Sequence, residues 1–198
     1  INIAIQLVGY HSVGKSTTLF SYTHNYFKKN LKFGQTFDKK IITFNGCKIS
    51  LTIYDFFFNE LYIPTNYAFR SAPQGLLFIF DITNRKTFEH AAKFIDSLKH
   101  LHYKNPFYLV LAGNKLDLEN EREISKDEAQ NFANKHKIKY FEISAKELKG
   151  LDEVFNDLAI NIYNEIICEK DNSEIQGQIF VIKDNQKNIK RLLFAIFI

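Results

Sequence analysis

Gly9-Tyr10-His11-Ser12-Val13-Gly14-Lys15-Ser16 (GYHSVGKS) is the stretch whose reading decides the fold. It follows Ile1–Val8, a short apolar and β-branched run, and it opens a helical pattern expected from about Lys15 to Lys28. A strand, a glycine-bearing turn and a helix in that order form a loop whose backbone amides converge on an anion. Gly9 and Gly14 let the chain curl. Lys15 supplies a point charge for β- and γ-phosphate oxygens, and the Ser16 hydroxyl is a hard oxygen ligand for Mg²⁺. The candidate phosphate contacts are therefore Gly9, Val13, Gly14, Lys15, Ser16 and Thr17. Ser16 is also a candidate metal ligand, and Lys15 is the candidate catalytic cation.

Outward from this loop, strand and helix signals alternate. Phe37–Phe44 and Lys48–Asp55 read as strands joined by Asn45-Gly46, a strong hairpin signal. Gly75–Asp81 (GLLFIFD), Phe107–Gly113 (FYLVLAG) and the shorter Lys139–Ile143 read as buried parallel strands. Phe88, Ala91, Ile95 and Leu98 recur at helical spacing, as do Leu151, Val154, Phe155, Leu158, Ile162 and Ile166. Ser125 with Glu128 three residues later predicts a capped helix start. The order implies an α/β fold of the P-loop NTPase kind. Its sheet is expected to be mainly parallel and six-stranded, with helices on both faces and one antiparallel edge hairpin. One domain is expected over 1–168. A tail follows over 169–198, polar at first and ending in basic residues before the apolar Leu192–Ile198.

Composition agrees with a packed domain: 45% of the 198 residues are hydrophobic and 24% charged, which is globular and not disordered. A net charge of +4, with the basic residues scattered, gives no case for nucleic acid. Cys47 and Cys168 lie at no metal-ligand or disulfide spacing. No apolar run approaches the ~20 residues a membrane span needs, and Ile1–Gly9 is too short for a signal peptide. The expectation is a cytoplasmic protein.

Two further segments bear on what is bound. Asn114-Lys115-Leu116-Asp117 follows one predicted strand and Ser144-Ala145-Lys146 follows another, both at carboxyl ends where open α/β sheets bind ligands. A carboxylate such as Asp117 can accept from N1–H and the exocyclic amine of guanine. Adenine lacks that donor pair, so the wrong base leaves a buried carboxylate unpaired. Lys115 can lie along the ring face, and the Ala145 N–H can reach O6. Ser144 and Lys146 complete the candidate base loop. GTP or GDP with Mg²⁺ is the expected ligand.

On these motifs the chain resembles a Ras-superfamily small GTPase, most of all the Rab branch, over roughly Asn2 to Cys168. Phe80-Asp81-Ile82-Thr83-Asn84-Arg85 followed by Thr87-Phe88 resembles a segment typical of Rab proteins. The resemblance implies that Phe27 packs edge-on against the base and that Asp55 holds Mg²⁺ through a water. It also implies partners: effector or scaffold proteins at the switch face around Phe56–Phe58. The location it implies is cytoplasmic, peripheral on membranes or within a cytoskeletal or ciliary assembly.

The resemblance breaks at the switches. Where the family has D-x-x-G-Q, this chain has Asp55-Phe56-Phe57-Phe58-Asn59-Glu60. Phe58 cannot take glycine-only dihedrals. Asn59, the candidate water-orienting residue, is one methylene shorter than Gln, about one bond length of ~1.5 Å. Misplacing reacting atoms by about 1 Å can cost ~10²-fold. Gly34 or Lys32 stands where the family has its metal-binding Thr, with Thr36 the nearest substitute metal ligand. GTP hydrolysis is therefore expected to be slow. Lys187, Lys190 and Arg191 before the apolar end suggest a membrane or partner contact through the tail.

Overall fold

The computed structural model describes residues 1–29, 31, 36–55, 73–98 and 107–167. Ile1–Ile162 form one compact unit and Tyr163–Ile198 another, of which residues 163–167 are described. The domain boundary expected at 168 falls outside the described residues.

The elements of the first unit are β1 (Asn2–Val8), α1 (Lys15–His24), β2 (Phe37–Phe44), β3 (Cys47–Asp55), β4 (Gly75–Asp81), α2 (Arg85–Leu98), β5 (Tyr108–Asn114), a 3-10 helix (Leu116–Glu121), α3 (Lys126–His136) and β6 (Lys139–Glu142). A further helix, α4, covers residues 151–167. The strands form one six-stranded sheet in the order β2-β3-β1-β4-β5-β6. Among the described strands β2 and β3 pair antiparallel, and the other four strand pairings are parallel. The α/β sheet with one antiparallel edge hairpin is thus the observed fold.

Burial follows position in that order. β4 is buried at all its residues, as a strand covered on both faces must be. Its alternate residues serve opposite layers. Leu76, Phe78 and Phe80 pack with Phe88, Ala91 and Ile95 of α2 and with Ala129 and Ala133 of α3. Gly75 faces the other way, where an added Cβ would lie 2.9 Å from the Ile162 side chain and 3.2 Å from that of Leu158. On that side Tyr22 of α1 stacks on Phe155 of α4, ring centroids 3.9 Å apart. Each fully buried Leu or Phe of this kind is worth roughly 1.5–3 kcal/mol of burial. β2, at the edge, instead alternates exposed and half-buried residues.

Local chemistry sets the boundaries. Asn45 (φ 49) and Gly46 (φ 76) both take positive φ, the requirement of the tightest hairpin turn. Ser125 caps α3, its hydroxyl accepting from the Glu128 N–H at 3.1 Å. α1 stops at His24, short of the expected Lys28, because Asn25 adopts the left-handed conformation (φ 59) and its N–H closes on the Ser21 carbonyl. That early stop frees Tyr26 and Phe27 from the helix.

Candidate nucleotide-binding site

The chain turns between β1 and α1 under tight steric constraint. Gly9 has φ 151, and a Cβ there would lie 2.2 Å from the Ile79 carbonyl oxygen of β4. Gly14 has φ 95 and would bring a Cβ to 2.5 Å from the Asn114 side-chain nitrogen. Both positions require glycine. Gly14 is also the N-cap of α1, with no side chain capping the helix and no acidic residue in its first turn. The first-turn amides therefore face the loop with a favourable dipole for an anion. Val13 is fully buried, anchoring the loop, and Thr17 is half-buried in the first turn.

The Lys15 ammonium donates to the Gly9 carbonyl at 2.8 Å and the Tyr10 carbonyl at 2.7 Å, so it lies across the loop mouth. Burial pushes its pKa below the usual lysine value, with the Asp55 carboxylate opposing that shift. Ser16 Oγ donates to the Asp55 carboxylate. This contact joins the start of α1 to the end of β3 and puts two hard oxygen groups side by side.

At the carboxyl ends of β5 and β6 a second cluster forms. Asn114 is buried and uses both ends of its amide: Nδ2 donates to the Val13 carbonyl at 2.8 Å, and Oδ1 accepts from the Ala145 N–H at 3.1 Å. One side chain thus clamps the phosphate loop to the segment Ser144–Lys146. Ser144 Oγ donates to Asp117 Oδ1 at 2.7 Å, and the Lys146 ammonium lies 3.2 Å from Asp117 Oδ2. Desolvation works to raise the Asp117 pKa, but the Ser144 and Lys146 donors outweigh it and hold the carboxyl below its ordinary 3.8. The Arg122 guanidinium braces this region from behind, reaching Glu119 of the 3-10 helix at 2.6 Å and Glu142 of β6 at 2.7 Å.

The phosphate loop and both base segments predicted from sequence therefore come together beyond the carboxyl ends of β1, β5 and β6. Residues 4–164 match the sequence model of the Ras family. The chain belongs to the Ras family. It is a small GTP-binding protein, and Ras-family GTPases generally bind GTP or GDP with Mg²⁺.

The donor set of this Ras-family protein suits those groups. Mg²⁺ takes one or two protein oxygens and leaves its other positions to water and phosphate, and the adjoining Ser16 hydroxyl and Asp55 carboxylate supply such a pair. The loop amides and Lys15 suit a polyphosphate.

Several expected residues are placed less directly. The Ala145 N–H, expected to reach a guanine O6, is already donated to Asn114, so a purine carbonyl would share it. Phe27 follows α1 and is 37% exposed. Thr36 is exposed, and its carbonyl accepts from the Asp55 N–H at 2.8 Å. That bond places Thr36 beside the Asp55 backbone. Lys32, Gly34, Phe56–Phe58, Asn59 and the tail lie outside the described residues.

One member of the site escaped the sequence reading. The Lys115 ammonium lies 2.6 Å from Asp81 Oδ2, and Asp81 is the register partner of Asn114 across β4 and β5. The available signal was a lone acid ending the otherwise apolar run GLLFIFD.

Proposed function

We propose that this protein binds GTP and GDP selectively over adenine nucleotides, with Mg²⁺, and hydrolyses GTP slowly unless a partner assists. The observation that carries the binding reading is the Asn114 clamp, which ties the phosphate loop to the base loop through two hydrogen bonds. Asp117, kept ionised and oriented by Ser144 and Lys146, supports guanine selectivity through its two acceptor oxygens. Gly9, Val13, Gly14, Lys15, Ser16 and Thr17 hold the phosphates. Ser16 and Asp55 hold the metal, with Thr36 a further ligand if its side chain turns inward.

In hydrolysis, Lys15 and the loop amides stabilise charge that develops on the leaving oxygens as water attacks the γ-phosphate. When bound, Mg²⁺ neutralises charge on the β- and γ-phosphate oxygens. The weak step is orientation of the water, because Asn59 stands where a longer glutamine amide serves the family. A partner that supplies an arginine or a water-orienting group would restore the rate. The same substitutions, with Phe58 in place of a glycine, also favour a second reading: a nucleotide-bound scaffold subunit that turns over negligibly.

The stretch Phe80–Arg85 with Thr87-Phe88 supports a Rab-like role in vesicle or ciliary traffic, cytoplasmic and peripheral on membranes. Partners would dock on the face around Phe56–Phe58, and the tail would add a membrane or partner contact.

Titration calorimetry with GDP, GTP and ATP tests the binding reading: heat with the guanine nucleotides and none with ATP is expected. No heat with GDP at millimolar concentration would sink it. Single-turnover hydrolysis separates the two functional readings. Asn59→Gln should raise the rate, by up to ~10²-fold if reach alone limits it. A wild-type rate already matching an efficient GTPase would reject the scaffold reading. Vesicle flotation of the full chain loaded with GDP, then with a non-hydrolysable GTP analogue, tests membrane association.

A further inference from the structure

We propose that Asp81 is a positioning residue of the purine wall, acting through Lys115; the inference rests on the nucleotide reading above and deepens it. Asp81 ends β4, a strand buried along its whole length. Its side chain is only 7% exposed. A carboxylate is costly there unless fully paired, and both its oxygens are. Oδ1 accepts from the Thr83 N–H at 2.9 Å and the Thr83 hydroxyl at 2.7 Å. Oδ2 faces the Lys115 ammonium at 2.6 Å. The backbone is pinned as well, the Asp81 N–H donating to Thr87 Oγ1 at 3.0 Å and the Asp81 carbonyl accepting from the Asn84 N–H at 3.0 Å. The acid is a fixed point.

Lys115 is held at both ends by this arrangement. Its backbone leaves β5 in the left-handed conformation (φ 68), which is uncommon for a long side chain. Its ammonium is tethered to Asp81. The four-carbon stem between them cannot sweep through the rotamers a free lysine samples. The Lys115 side chain stays 33% exposed, and we assign that open surface as the strip a planar purine covers. The cost of ordering a lysine is then incurred on folding and not on binding, which strengthens binding. The pair also neutralises the Lys115 charge locally, so that the wall offers the base an apolar face. Contact of this kind is indifferent to the exocyclic amine that Asp117 reads.

The test is a double-substitution cycle on the full 198-residue chain, read by titration with fluorescent GDP. Asp81→Ala should raise Kd about tenfold, the order expected when one long side chain must be ordered on binding. Lys115→Ala should raise it at least as much. In the Lys115→Ala background, Asp81→Ala should add less than about twofold, because its effect passes through the missing lysine. The ratio of GDP to inosine diphosphate affinity should stay unchanged in Asp81→Ala. Circular dichroism checks that each variant is folded. If Asp81→Ala does not fold, Asp81→Asn replaces it in the same cycle, with a smaller but equally coupled loss expected. Equal fold-changes in both backgrounds would overturn the assignment and leave Asp81 a purely structural residue. A wild type that binds no GDP would instead overturn the nucleotide reading itself.

Discussion

At the base end of the site, each recognition side chain is held by another part of the protein. At the phosphate end, the charged groups are held by backbone carbonyls and by one another. Asn114 and Asp117 are fixed by Val13, Ala145, Ser144 and Lys146. Lys15 rests on the carbonyls of Gly9 and Tyr10, and Ser16 rests on Asp55. The first arrangement is a template whose recognition side chains are held by the protein's own groups, which suits selectivity. The second is a set of donors and acceptors that a polyanion and a cation can take over with little rearrangement, which suits affinity. Substitutions at the two ends should therefore fail in different ways.

The largest loss is expected from Lys15→Ala. It removes a charge-assisted donor from the mouth of the loop and should weaken GDP and GTP binding by about 10³-fold, the combined order of two charged hydrogen bonds. Calorimetry against GDP and IDP should show both falling by the same factor, since the change touches no base contact. A change in the ratio of the two would break the division between the two ends.

Asp117→Asn should cut guanine affinity by about 10²-fold or more, the range for leaving buried polar groups mismatched. An asparagine amide presents one acceptor and one donor in place of two acceptors. It therefore suits xanthine, which has a carbonyl where guanine has its exocyclic amine. Competition between GDP and xanthosine diphosphate against the variant reads this directly. Equal weakening of both would mean that Asp117 acts through loop structure and not through the base.

Gly14→Ala strikes the joint between the two ends. Strain at a positive φ of 95 and a Cβ 2.5 Å from the Asn114 amide should cost about 1–3 kcal/mol. For a chain of this size that is a fall in Tm of roughly 2–12 °C, readable by thermal unfolding without nucleotide. An unchanged Tm would show that the Asn114 clamp yields easily.

What could be read in advance follows the same line. The phosphate loop was legible because Gly9, Gly14, Lys15 and Ser16 are contiguous, and their chemistry requires only a strand before and a helix after. The sheet was legible because GLLFIFD and FYLVLAG carry the unbroken apolar signature of covered strands. The hairpin followed from Asn45-Gly46. The end of α1 was misplaced because apolar periodicity ran on past Asn25, while the left-handed cap at that residue stops the helix. The Asn114 clamp and the Asp81–Lys115 pair could not be read because both depend on register between strands distant in sequence. No local pattern encodes that Asp81 lies opposite Asn114.

The smallest effect expected is that of pH on base selectivity. The Ser144 and Lys146 donors hold the folded-state pKa of Asp117 below 3.8. A lowered carboxylate pKa contributes stability that is fully present above the unfolded value and lost only as pH falls through the folded one. Asp117 therefore stays ionised across pH 8 to 5. The ratio of GDP to IDP affinity isolates its bond to the exocyclic amine, because the phosphates are common to both ligands and their own titration cancels. That ratio should change by less than about twofold over the interval. Lys146→Ala removes one of the groups that depress the pKa, so the ratio should begin to fall at a higher pH than in the wild type. A ratio that drops tenfold between pH 6 and 5 in the wild type would mean that Asp117 titrates in the ordinary range or above. The base end would then be no more pre-set than the phosphate end.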